Sequence, residues 1–139
     1  MMEVRRRVMI FLVLAVIEYI VDRARYTNCK HVGGDVFLLF HHMVSVYGYF
    51  GWILFNPLYH LILSVLILIH WKLNNDRCEL TIVNNRMCGN DESEVFYDFF
   101  KMSNVFGIHP GYVVGVLMIY DVVWIYNNRK KLSWEPLTR

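Results

Sequence analysis

Charge is scarce in this sequence: Asp, Glu, Lys and Arg make up 19% of its 139 residues, where soluble domains average about 25%. The net charge of +2 is too small to argue for nucleic acid, and no Lys/Arg-rich stripe carries interleaved stacking aromatics, so nucleic acid is not an expected partner. Nucleophile-elbow, P-loop, dinucleotide-fingerprint and zinc-protease motifs are all missing. No catalytic set can be assembled from motifs, and the chain is not expected to be an enzyme. There are three cysteines and no Cys-x-x-Cys pair, so the spacing usual for a zinc site is lacking. Nor is there an Asn-x-Ser/Thr acceptor for N-glycosylation. A signal peptide would need small residues after its apolar run. Here the run at 8–17 leads instead into Glu18, Tyr19 and Asp22. The segment reads as a retained membrane anchor.

What the chain has in abundance is apolar mass: 56% of residues, with 16% aromatic and a mean hydropathy of +0.33. Most charges fall in four patches, 3–7, 22–35, 72–101 and 129–139, separated by long stretches with one charge or none. That bunching points to a membrane rather than to a rich soluble core. Four apolar segments follow, at about 8–21, 36–55, 58–71 and 111–126. The second has the roughly 20 residues of a full span, and the short first would need tilt or snorkelling ends. Asn56-Pro57 makes the second and third a helical hairpin, with Pro at a favoured first helical position. Nine Tyr and four Trp suit an interfacial aromatic belt. The expected architecture is an all-α, polytopic, single membrane domain of about four transmembrane helices.

The one sizeable loop is 72–109. Its first half, LNNDRCELTIVNNRMCGN, is polar and rich in turn residues. Its second half reads as an interfacial helix: Asp91 and Glu94 have capping-box spacing, Glu94, Asp98 and Lys101 repeat at helical intervals, and four phenylalanines supply an apolar side. Four spans place both termini on one side. Arg5, Arg6, Arg7, Arg129, Lys130, Lys131 and Arg139 then balance seven cations in the opposite loops. The denser terminal clusters next to short spans lean towards an N-inside orientation.

Candidate chemistry is confined to a few residues. Cys78 and Cys88 flank a short loop that a disulfide would close, leaving Cys29 odd; free thiols are the alternative. His41 and His42 lie before the hairpin turn and His70 after it, each about 20 Å away along its helix at 1.5 Å per residue. The hairpin therefore brings one of the pair level with His70, with Glu18 of the first span nearby. These imidazoles would hydrogen-bond across helices and hold the bundle together. The alternative is that they ligate a haem, or a metal together with Glu18. His60 and His109 look interfacial and receive no role. Asp121 sits deep enough in the fourth span to need a partner, such as a Tyr hydroxyl. Gly111 and Gly115 form a GxxxG motif that permits close helix contact, within the chain or in a homo-oligomer. Ser45, Gly48 and Gly51 form a second small-residue strip. Arg129, Lys130, Lys131 and Trp134 in the tail would contact anionic headgroups or a protein partner. No cofactor is required by this reading.

The stretch FLLFHHMVSVYGYFGWILF, followed by HWKLNNDRCELTIVNNRMCG, carries a resemblance over roughly residues 36–100. The order of His-His, Gly-Trp, His-Trp, Asn-Asn, Cys-x-Leu-Thr and Cys-Gly resembles small uncharacterised membrane proteins of large nucleocytoplasmic DNA viruses. A looser likeness links it to a bacterial family of small His-containing membrane proteins. The viral resemblance implies a structural component of the virion's internal membrane, derived from host endoplasmic reticulum, which tethers capsid or other virion membrane proteins. An N-inside protein would then offer its basic tail to the shell.

Overall fold

The computed structural model describes residues 2–25, 29, 32–91, 96 and 98–129. Among these every regular element is a helix. They are α1 (Met2–Arg25), α2 (Val32–Leu54), α3 (Pro57–Leu73), α4 (Glu79–Cys88), α5 (Phe99–Val105) and α6 (Pro110–Asn128). The four apolar segments all become helices, each longer than its apolar run. Among the described residues α2 alone is long and apolar enough by itself to cross a membrane. The α5–α6 pair reaches that standard together, bent by 116° at the break, and α3 is a shorter apolar helix of 17 residues.

Local chemistry sets the boundaries. Asn56 accepts the backbone N–H of Leu58 and Pro57 opens α3, so the hairpin turn is capped as well as kinked. His109 does the same for α6, its Nδ1 accepting from Gly111 with Pro110 at the start. Gly89, at φ +70°, ends α4 in the left-handed conformation that costs glycine least. One part of the 72–109 loop differs from expectation. Its polar first half contains α4, which is held by packing and not by an apolar stripe. Among the described residues its second half holds α5, which Asp98 caps with extended backbone. The expected Asp91–Glu94 capping box runs into residues 92–95, which lie outside the described ones.

α2 is the hub, packing against α1, α3, α4, α5 and α6, while α6 lies mainly along α3. The small-residue strip explains how so many elements reach it. Ser45 is buried, Gly48 meets the Phe100 ring, and Gly51 meets His60 and Tyr47. Gly34 lies against the sulfurs of a disulfide between Cys29 and Cys88, whose Cα atoms are 4.4 Å apart. This bridge corrects the expected Cys78–Cys88 pairing: Cys78 and Cys88 stand at opposite ends of α4, about 15 Å apart at the helical rise. The GxxxG of α6 also departs from one of its two readings. Gly115 has no side chain or backbone within reach of an added Cβ, and Gly111 meets only His109. Among the described residues, neither Cβ position lies against another helix.

The distribution of polarity is inverted. The buried set includes Glu18, Asp22, His41, His42, Ser45, His60, Ser64, Asn84, Asn85, Asp98 and Asp121. The outer surface carries Met9, Leu12, Val13, Ile17 and Ile20 on α1, Ile62, Leu66 and Ile69 on α3, and Val116, Ile119, Val122 and Val123 on α6.

Candidate functional site

Each polar group arrives on a helix face set by spacing. On α1, Ala15, Glu18 and Asp22 fall at i, i+3 and i+7, and all three are buried. On α2, His41 and His42 precede Ser45 on the inward face. On α3, Pro57, His60, Ser64 and Ile67 repeat at three- and four-residue steps. On α6, Val114 and Asp121 are two turns apart. Three imidazole–carboxylate clusters result.

The first cluster centres on His42, which is fully buried. Its Nδ1 lies 3.3 Å from Glu18 Oε2 and its Nε2 3.1 Å from Asp22 Oδ2, so one ring bridges two acids of α1. Glu18 Oε1 also accepts the Phe99 backbone N–H at 2.8 Å, tying the start of α5 to the same node. The sequence paired Glu18 with the histidines; Asp22 enters one turn later along the same face.

The second cluster is built on His41. Its Nε2 is 2.9 Å from Asp98 Oδ2, and its Nδ1 is 3.4 Å from Cys78 Sγ and 3.5 Å from Thr81 Oγ1. Asp98 Oδ1 accepts the Lys101 N–H at 2.7 Å, so the α5 cap and the His41 contact fix one carboxylate between them. Cys78 is half-buried at the start of α4. Burial alone would raise its thiol pKa. The His41 ring, with the Thr81 and Leu80 backbone N–H groups, outweighs that and holds it below the ordinary thiol value.

The third cluster joins residues expected to stand apart. His60, read as interfacial, is fully buried, with Nδ1 2.5 Å from Asp121 Oδ2 and Nε2 3.1 Å from the Gly48 carbonyl. Asp121 thus finds a histidine where a tyrosine was expected. Depth carries the missed signal, since His60 is one turn beyond Pro57 and faces the same helix layer as the fourth span.

His70 does share a cavity with His41, as the hairpin geometry requires. It serves the turn, however: its Nε2 accepts the Glu79 N–H at 3.0 Å and neighbours Asn74. Both nitrogens of His41 and both of His42 lie against protein side chains. Among the described residues no three His, Cys, Asp or Glu side chains gather in a metal-holding group. The cavity, of about 410 Å³, has an apolar floor and a charged rim. In the tail, Arg129 lies 4.7 Å over the Tyr126 ring; Lys130, Lys131 and Trp134 lie outside the described residues.

No protein-family model, no curated protein and no solved structure matches this chain.

Proposed function

We propose that this chain is an integral membrane protein of about four spans, α1, α2, α3 and α6, serving as a structural anchor in a lipid membrane. One observation carries the reading: along the four helices Glu18, Asp22, His41, His42, His60 and Asp121 are buried, while the outer surfaces of α1, α3 and α6 carry large apolar side chains. In water such a surface would form a very large apolar patch. In lipid it is the favourable arrangement, because the buried carboxylates of Glu18, Asp22, Asp98 and Asp121 each meet an imidazole away from hydrocarbon. The interhelical carboxylate–imidazole contacts then act as bundle fasteners. The Cys29–Cys88 bridge favours an oxidising compartment on its side of the membrane. That side is opposite both basic termini under an N-inside orientation.

The finer role follows the resemblance over residues 36–100: a component of the internal membrane of a large DNA virus particle that holds the capsid shell to the bilayer. This reading assigns the shell contact to the basic tail beginning at Arg129. Two measurements test the two levels. The membrane reading expects the protein to stay in the pellet after alkaline carbonate extraction and to dissolve only with detergent; release by carbonate alone would end it. The tether reading expects a chain truncated after Asn128 to remain in the membrane yet lose co-sedimentation with capsid protein. Retained capsid association would sink the tether while leaving the membrane assignment intact.

A further inference from the structure

The Cys78, His41 and Asp98 contacts have the order of a nucleophile, a base and the group that orients the base. His41 Nδ1 faces the sulfur at 3.4 Å and its other nitrogen faces a buried carboxylate at 2.9 Å. That is the constellation required of an activated thiol: nucleophile and base within reach, with a third group fixing tautomer and ring plane. The three residues come from α2, the start of α4 and the start of α5, so packing and not sequence proximity assembles them. Cys78 is also the cysteine outside the disulfide.

All three line the 410 Å³ cavity, a volume within the usual range of about 300–1,000 Å³ for small-molecule sites. The cavity is amphipathic. Val44, Leu63, Ile67, Trp71 and Phe100 make its apolar floor, and Leu66, which is 55% exposed, opens that floor onto the outer aliphatic face of α3. Arg77 and Lys101 stand at the polar rim with Asp76 and Glu79. The Cys78 thiol belongs to the same lining. A molecule that suits these residues has a long apolar chain, a carbonyl within reach of the thiol and a polar end.

We propose that Cys78 is a nucleophile that takes up the acyl group of a long-chain lipid ester or thioester lodged in this cavity, with His41 as its base and Asp98 positioning the ring. The step balances without a redox partner. His41 takes the thiol proton, the sulfur attacks the acyl carbonyl carbon, and a new S–C bond forms. The bond from that carbon to the donor's oxygen or sulfur breaks, and the departing alkoxide or thiolate takes the proton from the His41 ring. The products are S-acylated Cys78 and a free alcohol or thiol. This goes beyond the anchoring role and does not depend on the capsid partner.

The test uses the full-length protein in lipid nanodiscs, exposed in separate arms to palmitoyl-CoA and to phosphatidylcholine vesicles. Intact mass spectrometry before and after neutral hydroxylamine reads the adduct. A single hydroxylamine-labile acyl group mapping to Cys78 and absent from Cys78→Ser is the expected result, and the arm that supplies it identifies the donor as thioester or lipid ester. Asp98→Asn keeps a capping side chain for α5, so the fold is retained, and acylation should slow at least roughly tenfold, as loss of base positioning requires. Wild-type protein gives a readout that depends on no variant: the pH profile of Cys78 alkylation by iodoacetamide. The groups that face the sulfur's surroundings are His41 from α2, His70 from α3, Asp76, Arg77 and Glu79 beside it, and Asp98 and Lys101 from the α5 side. With the thiol pKa held down, alkylation should persist below the pH at which an ordinary cysteine, near about 8.5, loses its thiolate. No adduct from either donor on folded protein overturns the proposal, and so does an Asp98→Asn variant that acylates as fast as wild type.

Discussion

His60 and Asp121 illustrate what a single buried pair does in this molecule. Both side chains are fully excluded from solvent. Nε2 of the ring faces the Gly48 carbonyl, and Nδ1 meets the Asp121 carboxylate at 2.5 Å. Removing one partner strands the other: Asp121→Ala should cost about 3–5 kcal/mol, the usual scale for breaking a buried pair. Removing both should cost less than the sum, so His60→Leu combined with Asp121→Leu should recover part of the loss. Reversible unfolding in mixed micelles measures the cycle. Single changes that leave the midpoint unmoved would mean the pair does not fasten α3 to α6. The same logic applies to Cys78, where stability and reactivity can be read apart: Cys78→Ser should abolish alkylation while leaving the Cys29–Cys88 bridge and the unfolding midpoint within about 0.5 kcal/mol of wild type.

At the scale of elements, the two glycine motifs make opposite demands. An added Cβ at Gly51 would lie 2.6 Å from the His60 ring, pushing α3 off α2 and disturbing the Asp121 contact behind it. Gly51→Ala should therefore destabilise by about 1–3 kcal/mol, as overpacking does. Gly115→Ala meets nothing within 4 Å, and gains helix propensity of up to about 1 kcal/mol. It should be neutral or stabilising in the monomer. A clear loss from Gly115→Ala in the same unfolding assay would reveal a second copy packed on that face. The elements themselves were largely legible: four apolar runs, the Asn56-Pro57 turn and the Ser45–Gly48–Gly51 strip all mark real helices and real contacts. α4 was not legible, for a physical reason. Its inward residues are Thr81, Asn84 and Asn85, and Asn84 donates to the Gly34 carbonyl. A pattern that equates burial with apolarity misses a helix that buries its amides. The cysteine pairing failed for a related reason: spacing along the chain suggested 78 with 88, but α4 is a rigid rod that holds those two ends apart and delivers Cys88 to Cys29.

For the whole molecule, the inverted polarity and the disulfide constrain the topology together. Cys29 joins the α1–α2 connection to the far end of α4, so those regions share one end of the bundle, and the Asn56–Pro57 turn lies at the other. If α1, α2, α3 and α6 all cross, the bridge and both termini fall on opposite sides. The basic residues Arg5, Arg6, Arg7 and Arg129 then sit with the termini, where the positive-inside tendency puts them. The compartment chemistry agrees, since a bridge on the lumenal side persists and one facing the reducing cytosol does not. Histidine placement was legible to the level of which rings share one end of the α2–α3 hairpin, but not which acid each one meets, because Asp22, Asp98 and Asp121 reach them from separate elements. The topology yields a sharp outcome. In sealed microsomes, added protease should remove a C-terminal epitope tag while leaving the Cys29–Cys88 cross-linked region intact, and detergent should expose both. The bridge should also resist a membrane-impermeant phosphine in the sealed vesicles and yield to it once they are opened. A tag protected in sealed vesicles, with the bridge open to the impermeant reductant, would reverse the orientation. A tag and a bridge on the same side would mean that α6, the one proposed span between Cys88 and the C-terminus, does not cross.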